Sequence, residues 1–300
     1  MSFETNSFVK LNSGYSIPRI GFGVCRIEPS EATESVFVAL EAGYRHIDCA
    51  RAYNNERDSV EGILKFLDKP GQTIKRENIF YTTRIWDEDQ GYEKATAAID
   101  AALDKLCGHS KKDQTSRNLG YIDLVLIHDP LTNTKKRLGT WKALQESLKT
   151  GKIKSIGVSN YGIPHLEELL NWDGLVIKPA VNQIELHPWL QRRELVGYLR
   201  ERNIVPVAYS PLTRGKRFDD PKLVELAKRY NKSPAQILVK WSLQAGFVPL
   251  VKSVHPQRIK DNIDVDDFEL SVEDFDKLGD KNENGYIIWD PTVHPVDADS

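Results

Sequence analysis

The chain has 300 residues, 40% of them hydrophobic, with a net charge of -2 and a pI near 6.4. That is enough for a sizeable core in one large domain or two ordinary ones. No Lys/Arg cluster alternates with aromatics, so the balance argues against a nucleic-acid or membrane surface and for small-molecule chemistry.

The opening residues Met1 to Asn6 lack a basic stretch leading into an apolar one, and no run approaches the roughly 20 apolar residues of a membrane span, which points to the cytosol. Cys25, Cys49 and Cys107 are odd in number and widely spaced, so they do not form a disulfide framework. Neither they nor the seven histidines show zinc-ligand spacing, and no metal is expected.

In chain order, Phe8 to Leu11, a turn at Asn12-Ser13-Gly14, and Tyr15 with Ile17 predict a hairpin. From Ile20 to Val24 onward, strands alternate with helices. Val36, Ala39, Leu40 and Gly43 share a helical face, and so do Val60, Ile63, Leu64 and Leu67 after the strand ending at Asp48. Ile79 to Ile85 leads to Ala95, Ile99, Ala102, Leu103 and Leu106; Ile122 to Ile127 leads to Leu138, Trp141 and Leu148. Ile153 to Val158 precedes Leu166, Leu169 and Leu170, and Ala180 to Leu186 precedes Leu195, Val196 and Leu199. Val205 to Ala208 is followed by a helix from Asp220 to Tyr230. Ser233-Pro234 announces another helix, with a capping residue before a proline at the first helical position. Val248 to Val251 is the eighth apolar strand, and Pro256 to Asn262 starts the last helix of the series.

Eight short apolar strands, each followed by an amphipathic helix, predict a closed (β/α)8 TIM barrel with an N-terminal β-hairpin. The rival doubly wound sheet needs a Gly-x-Gly-x-x-Gly turn, and Gly21-Phe22-Gly23-Val24-Cys25-Arg26 lacks the third glycine. No linker divides the chain, so residues 1–300 are expected to form a single domain. Cys107 to Asn118 and the tail after Pro295 are the low-order candidates.

Barrel chemistry sits at the C-terminal ends of strands. Asp48 ends one strand, Arg84 lies near the end of another, and His128 follows a third, with Tyr53 on the adjoining loop. Alone, Arg84 reads as a snorkelling surface cation and His128 as a satisfied core histidine. Together they converge on one rim and read as a site.

Several stretches then carry a family likeness. They are Gly43-Tyr44-Arg45-His46-Ile47-Asp48 with Tyr53, Ile127-His128-Asp129-Pro130, Ile156-Gly157-Val158-Ser159-Asn160, Val181-Asn182-Gln183-Ile184-Glu185, Ala208-Tyr209-Ser210-Pro211-Leu212, and Lys252-Ser253-Val254 with Arg258, Ile259 and Asn262. In that order and spacing the chain resembles an aldo-keto reductase over nearly its whole length. The resemblance implies NADPH-dependent, reversible reduction of aldehydes or ketones. Tyr53 would be the general acid, Asp48 and a basic partner would lower its proton affinity, and His128 would orient the carbonyl. Hydride addition leaves an alkoxide that needs a proton and nearby donors, and a phenol of pKa near ~10 needs a cation beside it.

That cation is ordinarily a lysine in the family. Here Arg84 stands in its place, able to pair with Asp48 in a bidentate fashion but bulkier and never deprotonated. The alternative is therefore a cofactor-binding or regulatory barrel in which Arg84, natural or introduced, has weakened turnover.

By the same resemblance Tyr209 would lie under the nicotinamide ring, with Ser159, Asn160 and Gln183 on its carboxamide. Ser210 and Leu212 would meet the pyrophosphate, Lys252, Ser253 and Arg258 the 2'-phosphate, and Val254 would also border the cofactor. Asp261 and Asn262 would lie by the adenine, and Gly23 and Val24 would border the cofactor. Cys25, Trp86, Asp129 and Trp189 are expected at the substrate pocket. An aspartate at 129, where relatives often carry an aromatic residue, implies a more polar or smaller pocket. Tyr286 and Trp289 are candidate lid residues. The expected partner is a small carbonyl substrate, and the expected state is a monomer or homodimer.

Overall fold

The computed structural model describes residues 4–107, 118–280 and 283–297. The expected low-order stretch after Cys107 therefore falls largely outside the described residues.

A two-stranded antiparallel ribbon, β1 (Phe8–Lys10) with β2 (Ser16–Pro18), precedes a closed barrel of eight parallel strands. The barrel strands are β3 (Gly21–Gly23), β4 (His46–Asp48), β5 (Phe80–Ile85), β6 (Ile122–Ile127), β7 (Ile153–Ser159), β8 (Val181–Glu185), β9 (Val205–Tyr209) and β10 (Val248–Val251), paired in sequence order and closed by β10 against β3. Nearly all their residues are buried, as parallel strands covered on both faces must be.

Strand alternation divides the buried residues in two. Outward-facing Ile47, Tyr81, Ile85, Val125, Ile127, Ile156, Val158 and Ile184 pack under the helices in the larger cluster. Inward-facing Phe80, Leu124, Leu126, Val181, Val207, Val248 and Leu250 fill the barrel, joined from the N-terminal ribbon by Leu11 and Ile17. The ribbon corks the end of the barrel where the strands begin. Its turn is held by Asn12, whose amide donates to the Pro179 carbonyl at 2.9 Å, and by Ser13, 2.7 Å from the Ser155 hydroxyl.

The helices are α1 (Pro29–Glu41), α2 (Glu56–Leu67), α3 (Tyr92–Cys107), α4 (Thr134–Ser147), α5 (Ile163–Leu170), α6 (Arg193–Glu201), α7 (Pro221–Tyr230), α8 (Pro234–Gln244), α9 (Pro256–Ile263) and α10 (Val272–Lys277). Gly43 does not ride on α1 as the periodicity predicts. It sits just beyond the helix at φ +109, while Tyr44 N–H bonds the Ala39 carbonyl and Gly43 N–H that of Leu40, a left-handed helix stop. Ser233 caps α8 as expected, accepting from Gln236 N–H while the Gln236 side chain accepts from Ser233 N–H. The short α10 has too few turns to leave a readable apolar period, and the sequence did not reveal it.

The tail is tied back across the barrel. Glu185 accepts from Ile287 N–H at 2.6 Å, Arg192 pairs with Asp290 at 2.9 Å, and Arg137, itself paired with Glu168 at 2.7 Å, reaches the Val296 carbonyl at 2.7 Å. No helix among the described residues is long and apolar enough to cross a membrane.

Candidate active site

The site is the uppermost inward layer of the barrel. Counting by twos from the interior cluster, Phe80 leads to Arg84, Val181 to Gln183 and Val207 to Tyr209, so side chains from distant strands meet over the apolar fill. Arg84 is 3% exposed, which rules out the surface-cation reading. One arm of its guanidinium donates to the Tyr53 hydroxyl at 3.1 Å and the Cys49 carbonyl at 2.6 Å. The other arm donates to Asp48 Oδ1 at 2.5 Å and to Gln183 Oε1.

The pairing with Asp48 is thus not bidentate. Asp48 Oδ2 is taken by the Gln183 amide N–H at 2.9 Å, because the second arm of Arg84 must also satisfy Gln183. The Cys49 carbonyl and this use of Gln183 escaped sequence reasoning. A backbone acceptor leaves no mark in side-chain identity, and only the inward parity of Gln183 with Arg84 hinted at the second.

Tyr53 stands on a short 3-10 turn, Arg51–Tyr53, that follows β4. Its ring meets the His128 ring edge to face at 6.1 Å, and Trp86 meets the same imidazole edge to face at 4.8 Å. Burial drives the His128 pKa down to about 3, with the Arg84 cation pushing the same way, so His128 is a neutral imidazole. Its Nδ1 is buried with no hydrogen-bond partner among the described residues.

Burial raises the Tyr53 pKa well above 10, and Arg84 opposes it. The cation therefore acts in the expected direction, but desolvation prevails and the phenol stays protonated. Burial also works against the Arg84 charge, yet Asp48 and Tyr53 more than offset it and raise the Arg84 pKa. For Asp48 burial again leads and raises the pKa, with Arg84 and Gln183 pulling the other way.

The other expected residues fall into three groups. Ser159, Asn160 and Tyr209 adjoin this layer: Ser159 donates to the Gln183 carbonyl at 2.8 Å, Asn160 to the His128 carbonyl at 2.9 Å, and Tyr209 to Asn160 Oδ1 at 2.8 Å. Beyond Tyr209 the backbone of Ser210, Thr213 and Arg214 is left-handed, at φ values of 51, 51 and 53. Such conformations are costly for residues other than glycine and cluster where a backbone must approach a ligand.

At the next edge, Ser253 precedes α9 and accepts from His255 N–H at 3.1 Å, while Lys252 and Arg258 are exposed and pair with no carboxylate among the described residues. Val254 is half-buried, Asn262 is buried, and Asp261 holds Gln257 at 2.8 Å. Gly23 and Val24 end β3 beside Asp48, whose carbonyl takes the Val24 N–H at 3.0 Å. Two exposed cations at a helix start, with no carboxylate partner among the described residues, suit a phosphorylated dinucleotide.

Cys25 and Trp86 lie half-buried at the rim. Two residues expected at the pocket expose little surface. Asp129 is 1% exposed and turns back into its own loop, where Oδ1 accepts from Leu131 N–H at 3.0 Å. It is not among the groups that perturb His128. Trp189 is 3% exposed and packs under the tail, with the Arg217 guanidinium 5.4 Å from its ring and its carbonyl accepting from Gly285 N–H. Tyr286 and Trp289 remain exposed at 53% and 37%, free of the core packing that would fix them. No group of three or more His, Cys, Asp or Glu among the described residues is placed to hold a metal ion.

An eight-stranded parallel barrel with a buried Asp and Arg, a half-buried Tyr and a neutral His at its C-terminal rim defines a class of barrel enzyme. The particular family follows from comparison: the sequence pattern of the Aldo/keto reductase family matches residues 19–283, and the chain belongs to that family of oxidoreductases. It is 43% identical over 284 residues to the glyoxal reductase of Bacillus subtilis, covering 94% of this chain and 95% of that one. Among solved structures, an aldo/keto reductase from Brucella melitensis superposes with a TM-score of 0.80 at 40% identity, over 91% of this chain and 98% of that one. The aldo-keto reductase of Bombyx mori, solved in complex with NADP, gives a TM-score of 0.81 at 32% identity, over 95% of each.

Proposed function

We propose that this chain is an NADPH-dependent reductase of small aldehydes or ketones, with Tyr53 as the proton donor. The observation that carries the reading is the Arg84 to Tyr53 hydrogen bond of 3.1 Å, made by a buried cation to a half-buried phenol beside a neutral His128. NADPH, when bound, supplies the hydride. Tyr209, Ser159 and Asn160 would meet its nicotinamide end. Ser210 and Leu212 would border the pyrophosphate, and Lys252, Ser253 and Arg258 the 2'-phosphate. His128 and the Tyr53 hydroxyl would both face the carbonyl oxygen, one orienting it and one delivering the proton as negative charge develops. Arg84 then stabilises the phenolate left behind, and Asp48 holds Arg84 in place.

A small dicarbonyl heads the list of substrates to try, because a relative of comparable length is named a glyoxal reductase. A second reading, a nucleotide-binding barrel with weak turnover, is favoured by one feature: most of the Arg84 bonds run to Asp48, Gln183 and Cys49, which leaves a single N–H for Tyr53.

The test is NADPH consumption with a panel of aldehydes and ketones, run on this chain, Tyr53→Phe and Arg84→Lys, with NADPH affinity measured for each. We expect Tyr53→Phe to lose about 10²- to 10⁴-fold in kcat at unchanged affinity. Full turnover by Tyr53→Phe would remove it from the mechanism, and turnover by Arg84→Lys alone would favour the second reading.

A further inference from the structure

Gln183 lies on β8 at an inward position, paired in register with Ser159 of β7. Its side-chain amide is 2% exposed and engaged at both ends, as acceptor from Arg84 and as donor to Asp48. Its own carbonyl is engaged as well, by the Ser159 hydroxyl at 2.8 Å and the Asn160 N–H at 2.9 Å, which fixes the backbone from which the amide projects. The residue expected on the nicotinamide carboxamide is thus committed to the buried charges. It cannot swing toward the rim without leaving a guanidinium N–H and a carboxylate oxygen unpaired, a costly loss inside a core.

The cause is the shape of the cation. A guanidinium is a rigid fork, and this one sends one arm to Tyr53 and Cys49 and the other to Asp48 and Gln183. An ammonium on a shorter, unforked stem has a single nitrogen and no second arm to offer. Only a neutral amide suits the place between the two charges, because it accepts from the cation and donates to the anion. A carboxylate at 183 would repel Asp48, and an apolar side chain would satisfy neither.

We propose that Gln183 is a positioning residue for Arg84, holding the guanidinium against Tyr53, and that recognition of the nicotinamide amide rests on Ser159 and Asn160. Positions 84 and 183 are then coupled: the arginine draws Gln183 into the acid, and a lysine would release it to the cofactor. This rests on reading the rim as a nicotinamide site, but part of its test does not.

Four proteins decide it: this chain, Gln183→Met, Arg84→Lys and the double variant. Each is titrated with NADPH and with adenosine 2',5'-bisphosphate, which lacks the nicotinamide, and each is unfolded thermally without ligand. In the parent chain, Gln183→Met should change the ratio of the two affinities by less than about twofold, while kcat falls by about tenfold or more and Tm drops by several degrees. In the Arg84→Lys background the same change should weaken NADPH about tenfold, leave the bisphosphate untouched and move Tm little. A merely structural role would not produce that crossover in the nicotinamide-dependent part of the affinity. Equal loss of NADPH affinity in both backgrounds would overturn the proposal.

Should none of the four bind NADPH, the functional reading falls, and Tm alone then decides: a drop confined to the arginine background supports the coupling, and equal drops refute it. If Gln183→Met fails to fold, Gln183→Ala, which removes both the acceptor for Arg84 and the donor to Asp48 and leaves room for water, is put through the same comparison with the same outcomes.

Discussion

Asp129 follows His128, yet the fold uses it as a loop acid. Burial raises its pKa to about 7, Leu131 N–H opposes, and Asp87 adds repulsion. A carboxyl whose proton is held more tightly in the folded chain gains stability that is complete below the unfolded pKa, near ~3.9, and is lost as pH rises through about 7. The cost is about 1.4 kcal/mol for each pH unit between those values. Asp129→Asn keeps an acceptor for Leu131 and has no proton to lose. Thermal unfolding should show it more stable than the parent at pH 8, by roughly 8 °C, and level with it at pH 4. Equal melting at both pH values would mean that Asp129 is ionised at no cost. Sequence alone placed this residue beside the pocket, because adjacency to His128 says where the backbone passes and nothing of which way a side chain turns.

Among the elements, the β6–α4 loop, α5 and the tail are joined by one buried ion pair. Arg137 is 1% exposed, holds Glu168, and donates to the carbonyls of Pro130, Thr132 and Val296. Glu168→Ala strands that cation and should cost about 3–5 kcal/mol in denaturant unfolding. Adding Arg137→Met should recover only part of it, since three carbonyls then lose their donor; full recovery would show that the carbonyls find other partners.

The strands and most helices were legible in the sequence, because Ile122 to Ile127 or Val248 to Val251 can only be buried on both faces and Ser233-Pro234 can only begin a helix. The polar ends of those strands were legible too. What the sequence hid was the meeting of Arg84 with Gln183, 99 residues apart, and of Asp48 with Gln183, 135 apart. Those encounters depend on how the closed ring staggers its strands, a property of the barrel and not of any segment.

At the scale of the molecule, the proposed nucleotide groove runs from Tyr209 on β9 to Lys252 and Arg258 at α9, so a bound dinucleotide would add a further tie between them. At a free concentration of 100 times Kd, NADPH should add about 2.7 kcal/mol to stability and raise Tm by roughly 5 °C. No shift at saturating concentration would argue against the groove. The ribbon of β1 and β2 carries a different consequence. Leu11 and Ile17 seal the far end, and Phe80, Leu124, Leu126, Val207 and Leu250 lie between them and the acid. The barrel is a vessel with one mouth. On the proposed chemistry, the proton Tyr53 gives up must be replaced through the opening by which the alcohol departs, so reloading the acid waits on product release. The two events form one queue, and a solvent isotope effect on turnover should persist when product release is the slow step as well as when proton delivery by Tyr53 is.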